Sequence, residues 1–145
     1  MNGWKWNTRE HLMGKTIFKY TIYGDCASKK NNKRIVLNRK TNKPMVISSK
    51  KAIKWYTNAI KQMQIDHVKK HKFNDKLNAK ILIYRKDKRG GPGDLNNFIQ
   101  APLDLLVSYG VIEDDNRNII YSTDGSRLLY DKENPRVEVE LSLVD

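Results

Sequence analysis

Phe18, Tyr20 and Ile22 alternate with Ile17, Lys19 and Thr21 in "TIFKYTIY" at 16–23, the period of a half-buried strand. "RIVLNRKTNKPMVIS" then reads as two short β-branched runs around a Lys- and Asn-rich turn, a hairpin over roughly 34–48. Ser48 or Ser49 suits the N-cap of a helix. From Lys50 to about Lys70 the period lengthens. Ile53, Tyr56, Ile60 and Met63 recur at helical spacing, Trp55, Ala59 and Ile65 widen the stripe, and Lys50, Lys51, Lys54 and Lys61 cover the back. "KLNAKILIYRKD" returns to a period of two, with Leu77, Ala79, Ile81 and Ile83 on one face and Leu82 and Tyr84 on the other; apolar residues on both faces predict a central strand.

After the glycines at 90–93, a helix is predicted from Asp94 to Tyr109, with Leu95, Phe98, Ile99, Leu103, Leu106 and Val107 facing a core. Pro102 predicts a kink or a loosened first turn, and Gly110 an end. "NIIYST", a turn at Asp124 and Gly125, "RLLYD" and "RVEVELSLV" make a β-rich finish, Val137, Val139, Leu141 and Leu143 pointing in and Glu138 and Glu140 out. The class is α+β, a single small domain with a mixed or antiparallel sheet packed by two main helices. Residues 16–145 form that domain, and 1–15 an N-terminal extension that Trp4 and Trp6 anchor.

At 145 residues the chain buries a core without staples, and its single cysteine, Cys26, forms no internal disulfide. No stretch approaches the roughly 18 apolar residues of a membrane span, and the first residues lack a signal peptide's apolar centre. The expectation is a soluble cytoplasmic protein without a membrane partner. Charge sharpens this picture. The net value is +12, but residues 1–89 carry 24 Lys and Arg against 5 Asp and Glu, whereas 90–145 carry 4 against 11. Such a cationic excess attracts a phosphate backbone through counterion release, so nucleic acid is the expected partner. Lys29, Lys30, Lys33 and Arg34, clustered with Asn31 and Asn32, are the candidate phosphate contacts.

The acidic island needs a separate account. Asp94 opens a helix, and Asp114 and Asp115 come after it in a loop. A 16-residue helix is about 24 Å long, so Asp94 and Asp115 meet only if the chain after Gly110 doubles back. Carboxylates of this kind suit Mg²⁺, which takes one or two and completes its shell with water and substrate phosphate. The same residues also suit a helix cap and a solvated turn. "GGPG" lacks both the "GK[ST]" and the "GxGxxG" of a nucleotide loop. His67 and His71 stand four apart without the glutamate of a zinc motif and read as exposed; Trp55 and Tyr84 read as core.

"SKKNNKRIV" at 28–36, "GDLNNF" at 93–98, "PLDLL" at 102–106, "EDDNRNI" at 113–119 and "PRVEVEL" at 135–141 together resemble the RusA family of Holliday junction resolvases, in the family's order and spacing. The resemblance implies a small homodimeric endonuclease that uses Mg²⁺, with Mn²⁺ as a substitute, to nick DNA at four-way junctions in a bacterial or phage-infected cell. It places the first acid of the family's "DxDN" on Asp94 and the second acid of its "DD" on Asp115, with Asp114 beside it as a further catalytic candidate. The second acid of "DxDN" falls on Asn96, which offers a carbonyl oxygen to the metal, and the family's lysine falls on Gln100, left as a DNA contact. Asp104 and Asp114 stand in reserve for the missing charge, and Lys29 or Lys30 for the missing lysine. These two departures also admit a nucleic-acid-binding protein that keeps the fold without the chemistry.

Overall fold

Leu77, Ala79, Ile81 and Ile83 all lose their solvent exposure on one face of β4 (Leu77–Arg85), and that strand is the spine of the sheet. The computed structural model describes residues 14–27, 33–48, 50–88 and 94–144, with backbone alone over 33–37 and 44–48. Trp4, Trp6, Lys29, Lys30, Ser49 and the loop at 90–93 lie outside the described residues, as do the side chains of Lys33, Arg34 and Ser48.

β1 (Thr16–Tyr23) pairs antiparallel with β7 (Arg136–Leu143), and β7 pairs antiparallel with β4. On its other side β4 pairs in parallel with β5 (Ile120–Ser122) and then β6 (Arg127–Tyr130). The sheet is therefore mixed, with β4 central as its apolar pattern predicts. The registers Ile81↔Val139 and Tyr20↔Val139 align the inward side chains of three strands into one row. β2 (Lys33–Leu37) and β3 (Pro44–Ser48) form a separate two-stranded hairpin. Its turn is held by Asn38, whose Oδ1 accepts the Lys40 N–H at 2.9 Å.

β5 and β6 leave a gap along β4 that a side chain fills. Ser126 Oγ, buried between them, accepts the Ile81 N–H at 2.9 Å and donates to the Ala79 carbonyl at 3.2 Å. Ser126→Ala strands both backbone groups without water, so it should cost about 1–3 kcal/mol, readable as a lower denaturant midpoint at unchanged slope.

α1 (Lys50–Ile65) and α2 (Asp94–Tyr109) cover the buried face. α2 has the bounds that its sequence predicts, yet Pro102 lies within it. Pro102 cannot donate to the Phe98 carbonyl; the Cys26 thiol lies 4.0 Å from that oxygen and 3.8 Å from the Ala27 carbonyl, and its one proton serves between them. Burial pushes this thiol well above its ordinary pKa and keeps it protonated for the contact.

α1 departs from expectation in two ways. Its buried line is Trp55, Ala59 and Met63, whereas Ile53 is 53% exposed and Ile65 73%. The side chains at i, i+4 and i+8 meet the sheet and α2, with Ala59 small enough to let the helix approach; Ile53 and Tyr56 stand to one side. The helix also stops before Lys70, because His67 adopts a left-handed backbone (φ 53°) and the Tyr109 hydroxyl, 2.7 Å from the Val68 carbonyl, holds the chain that leaves. In its last turn, Gln62 exchanges two 2.9 Å hydrogen bonds with the Tyr23 backbone, which fastens α1 to the end of β1.

Candidate active site

α2 ends because Gly110 takes φ 102°, a conformation that favours glycine, and its N–H and that of Val111 both return to the Leu106 carbonyl. A Cβ there would only reach van der Waals contact with Lys70, so the backbone conformation is what selects glycine. The chain then runs beside residues 72–73: Lys72 N–H bonds Gly110 O, Phe73 N–H bonds Val111 O, and Glu113 N–H bonds Phe73 O, each at 2.9 Å. Leu77 N–H to Ile119 O at 2.7 Å starts the parallel pairing with β5. The segment after Gly110 thus doubles back, and it delivers Asp115 to the flank of α2, where Asp115 lines a groove with Ala101, Asp104 and Ser108.

The two acids of this loop differ in state. Asp114 Oδ1 accepts the Asp115 N–H at 2.7 Å and its Oδ2 accepts the Asn116 amide at 3.0 Å, which together hold its carboxyl below the ordinary carboxylate value. Asn116 in turn bonds the Asn118 N–H at 2.9 Å and its carbonyl takes the Ile119 and Ile120 N–H groups. Asp115 is pushed up, first by burial, then by sharing a hydrogen bond with Asp114 and by the nearby charge of Asp104. Desolvation and like charge act in the same direction here.

A carboxyl whose folded pKa is raised stabilises the fold below the unfolded pKa, and that contribution is lost as pH rises through the folded value. At neutral pH an ionised Asp115 beside Asp104 is therefore a burden on the fold. Asp115→Asn should raise the melting temperature in metal-free buffer at pH 7 to 8, with the gain shrinking as pH falls through the carboxylate range. Added Mg²⁺ should raise the melting temperature of the parent and not of the variant.

On α2, Asp94, Asn97, Ala101, Asp104 and Ser108 share one helical face, and Asn96, Gln100 and Asp104 recur at i, i+4 spacing along the neighbouring ridge. Both lines converge on Asp104. Asp94 is half-buried at the helix start, ten residues or about 15 Å of helix axis from Asp104. Asn96 and Gln100 are exposed. The residues brought together are therefore Asp104, Asp114 and Asp115. Among the described residues no group of three or more His, Cys, Asp or Glu gathers as a ready-made metal cage. A facing pair of carboxylates nevertheless fits a hard, oxygen-preferring divalent ion, which completes its shell from water and substrate.

The other sequence candidates occupy structural places. Trp55 is buried, Tyr84 lies half-buried under the Arg136 guanidinium at 3.8 Å, and His71 stacks on Phe73 at 4.4 Å. Sequence reasoning missed a cationic rim: exposed Lys70 stands over the Tyr109 ring at 5.2 Å, Lys72 flanks Gly110, and Lys76 stands over Tyr121 at 4.6 Å, all along the strand of chain that the acidic loop pairs with. Its signal was the run "KKHKFNDK", which in sequence merges with the wet back of the preceding helix.

The family model for Endodeoxyribonuclease RusA matches residues 25–142, most of the chain and all of the acidic loop and α2. No individually curated protein matches the chain.

Proposed function

Because the chain belongs to the RusA family of endodeoxyribonucleases, DNA-cutting enzymes that generally depend on a divalent metal, we propose that it nicks four-way DNA junctions symmetrically as a homodimer with Mg²⁺, or Mn²⁺ in its place. The observation that carries this reading is that the loop after Gly110 doubles back and sets Asp115 beside Asp104 on α2, within the segment that the family model matches. In this reading Asp115 and Asp104 hold the ion, and Asp94 and Asn96, about 12–15 Å along the helix axis from Asp104, serve the substrate end of the site and do not share that ion. Asp114, its own oxygens engaged in the turn, positions Asp115. When bound, the ion neutralises the phosphate and lowers the pKa of an attacking water. Lys29, Lys30, Lys33 and Arg34, with Gln100 and the Lys70–Lys76 rim, would hold the DNA backbone. A junction presents two equivalent phosphates, which a two-fold symmetric dimer meets with two equivalent sites.

Exposed Asn96 and Gln100 favour a second reading, a junction binder that does not cut. Incubating the protein with an end-labelled four-way junction, with and without Mg²⁺, separates the two. Paired nicks that appear only with the metal support the first; a retarded, intact junction under both conditions supports the second.

A further inference from the structure

Beside the acid pair lies a groove of about 410 Å³ between α1 and α2. It exists because short side chains, Ala27, Ala52, Ala101 and Ser108, stand where the elements face one another. Its apolar wall is formed by Ile53, Tyr56 and Val107, and Asp104 and Asp115 lie in the same lining. Ile53 and Tyr56 belong to the helical stripe that the sequence assigns to the core, yet they remain 53% and 37% exposed. Large apolar side chains left open beside carboxylates call for an occupant with both an apolar face and hydrogen-bond donors.

Three features select that occupant. The hollow is too small for a helix, whose diameter with side chains is about 10–12 Å. Asp104 and Asp115 repel a phosphate that arrives without a metal ion, and they leave a lipid tail or apolar helix face with carboxylates to desolvate. The chain's net charge of +12 recruits polyanions, so the aromatic, N–H-bearing groups that reach this face are nucleobases attached to a phosphate backbone. A base whose pairing or stacking is already interrupted costs least to extrude.

We infer that this groove receives one unstacked nucleobase of the junction, stacked against Tyr56 and Ile53 with its donor edge toward Asp104 and Asp115, next to the phosphate that is cut. The inference rests on the junction-nuclease reading and adds a base-binding subsite to it. It makes Tyr56 a substrate-binding residue that touches no metal ligand's chemistry.

The test uses four-way junctions carrying 2-aminopurine at successive positions around the crossover, in buffer with Ca²⁺ in place of Mg²⁺ and read before any strand is cut, so that the acid pair is neutralised while the junction stays intact. With the parent protein, fluorescence should depart from that of the free junction at one symmetric pair of positions. Tyr56→Ala should abolish that change and weaken junction binding on the order of ten-fold, with the slope of affinity against salt unchanged, because a stacked base rather than a phosphate contact is lost. Tyr56→Phe, which keeps the ring, should behave as the parent. Junction retardation with unchanged fluorescence at every position would overturn the subsite while leaving the nuclease reading intact; no retardation by the parent would remove both. If Tyr56→Ala instead alters the sedimentation of the free protein and not the fluorescence, the groove holds a second copy of the chain and the inference fails.

Discussion

Asp115→Asn is expected to reduce nicking of a four-way junction by at least about 10²–10³-fold while leaving junction affinity within a few-fold of the parent. The magnitude comes from the several kcal/mol that a bound divalent ion contributes to the transition state, at about 1.4 kcal/mol per factor of ten. The direction comes from the site. Asp115 is the acid that the loop after Gly110 carries to α2, and its neighbour Asp114 has both oxygens engaged in holding that loop. The amide keeps the shape but removes the charge that Asp104 opposes, so the variant should also melt higher in metal-free buffer. Loss of cutting together with gain of stability is the pattern of a residue held for function at the expense of the fold. Single-turnover nicking, gel retardation and thermal melting of the same preparations read all three quantities.

Ile81→Ala should lower the stability of the fold by about 2–5 kcal/mol, a large part of the roughly 5–15 kcal/mol available to such a domain. Ile81 is fully buried in the middle of β4, in register with Val139 of β7, and its N–H is the one that Ser126 completes. Truncation leaves a cavity in the core beneath β4. Urea denaturation should show a lower midpoint at an unchanged slope, with the folded fraction still binding the junction.

Elements whose periodicity coincides with their burial were legible in the sequence. The period of two in β4 and β7 maps onto alternating buried and half-buried residues, and α2 begins and ends at Asp94 and Tyr109, where an acid and a glycine mark it. α1 was less legible because a broad apolar stripe does not say which of its edges meets the sheet. Trp55, Ala59 and Met63 won that contact, and Ile53 and Tyr56 became groove wall. The site was legible as residue types and not as a pairing. Asp94 and Asp115 stand out by position, but the approach of Asp115 to Asp104 depends on backbone bonds between residues 72–73 and 110–113, which no local pattern encodes. The Ser126 bridge was invisible for the same reason: a serine in a turn becomes structural only once two strands stop short of each other.

The central claim is that Asp115 is a ligand for a divalent ion. Calorimetric titration of Mn²⁺ into the metal-free protein and into Asp115→Asn, each without DNA, tests it most directly. The account predicts saturable binding with one site per chain in the parent and its loss in the variant; an identical isotherm for the two proteins would contradict it.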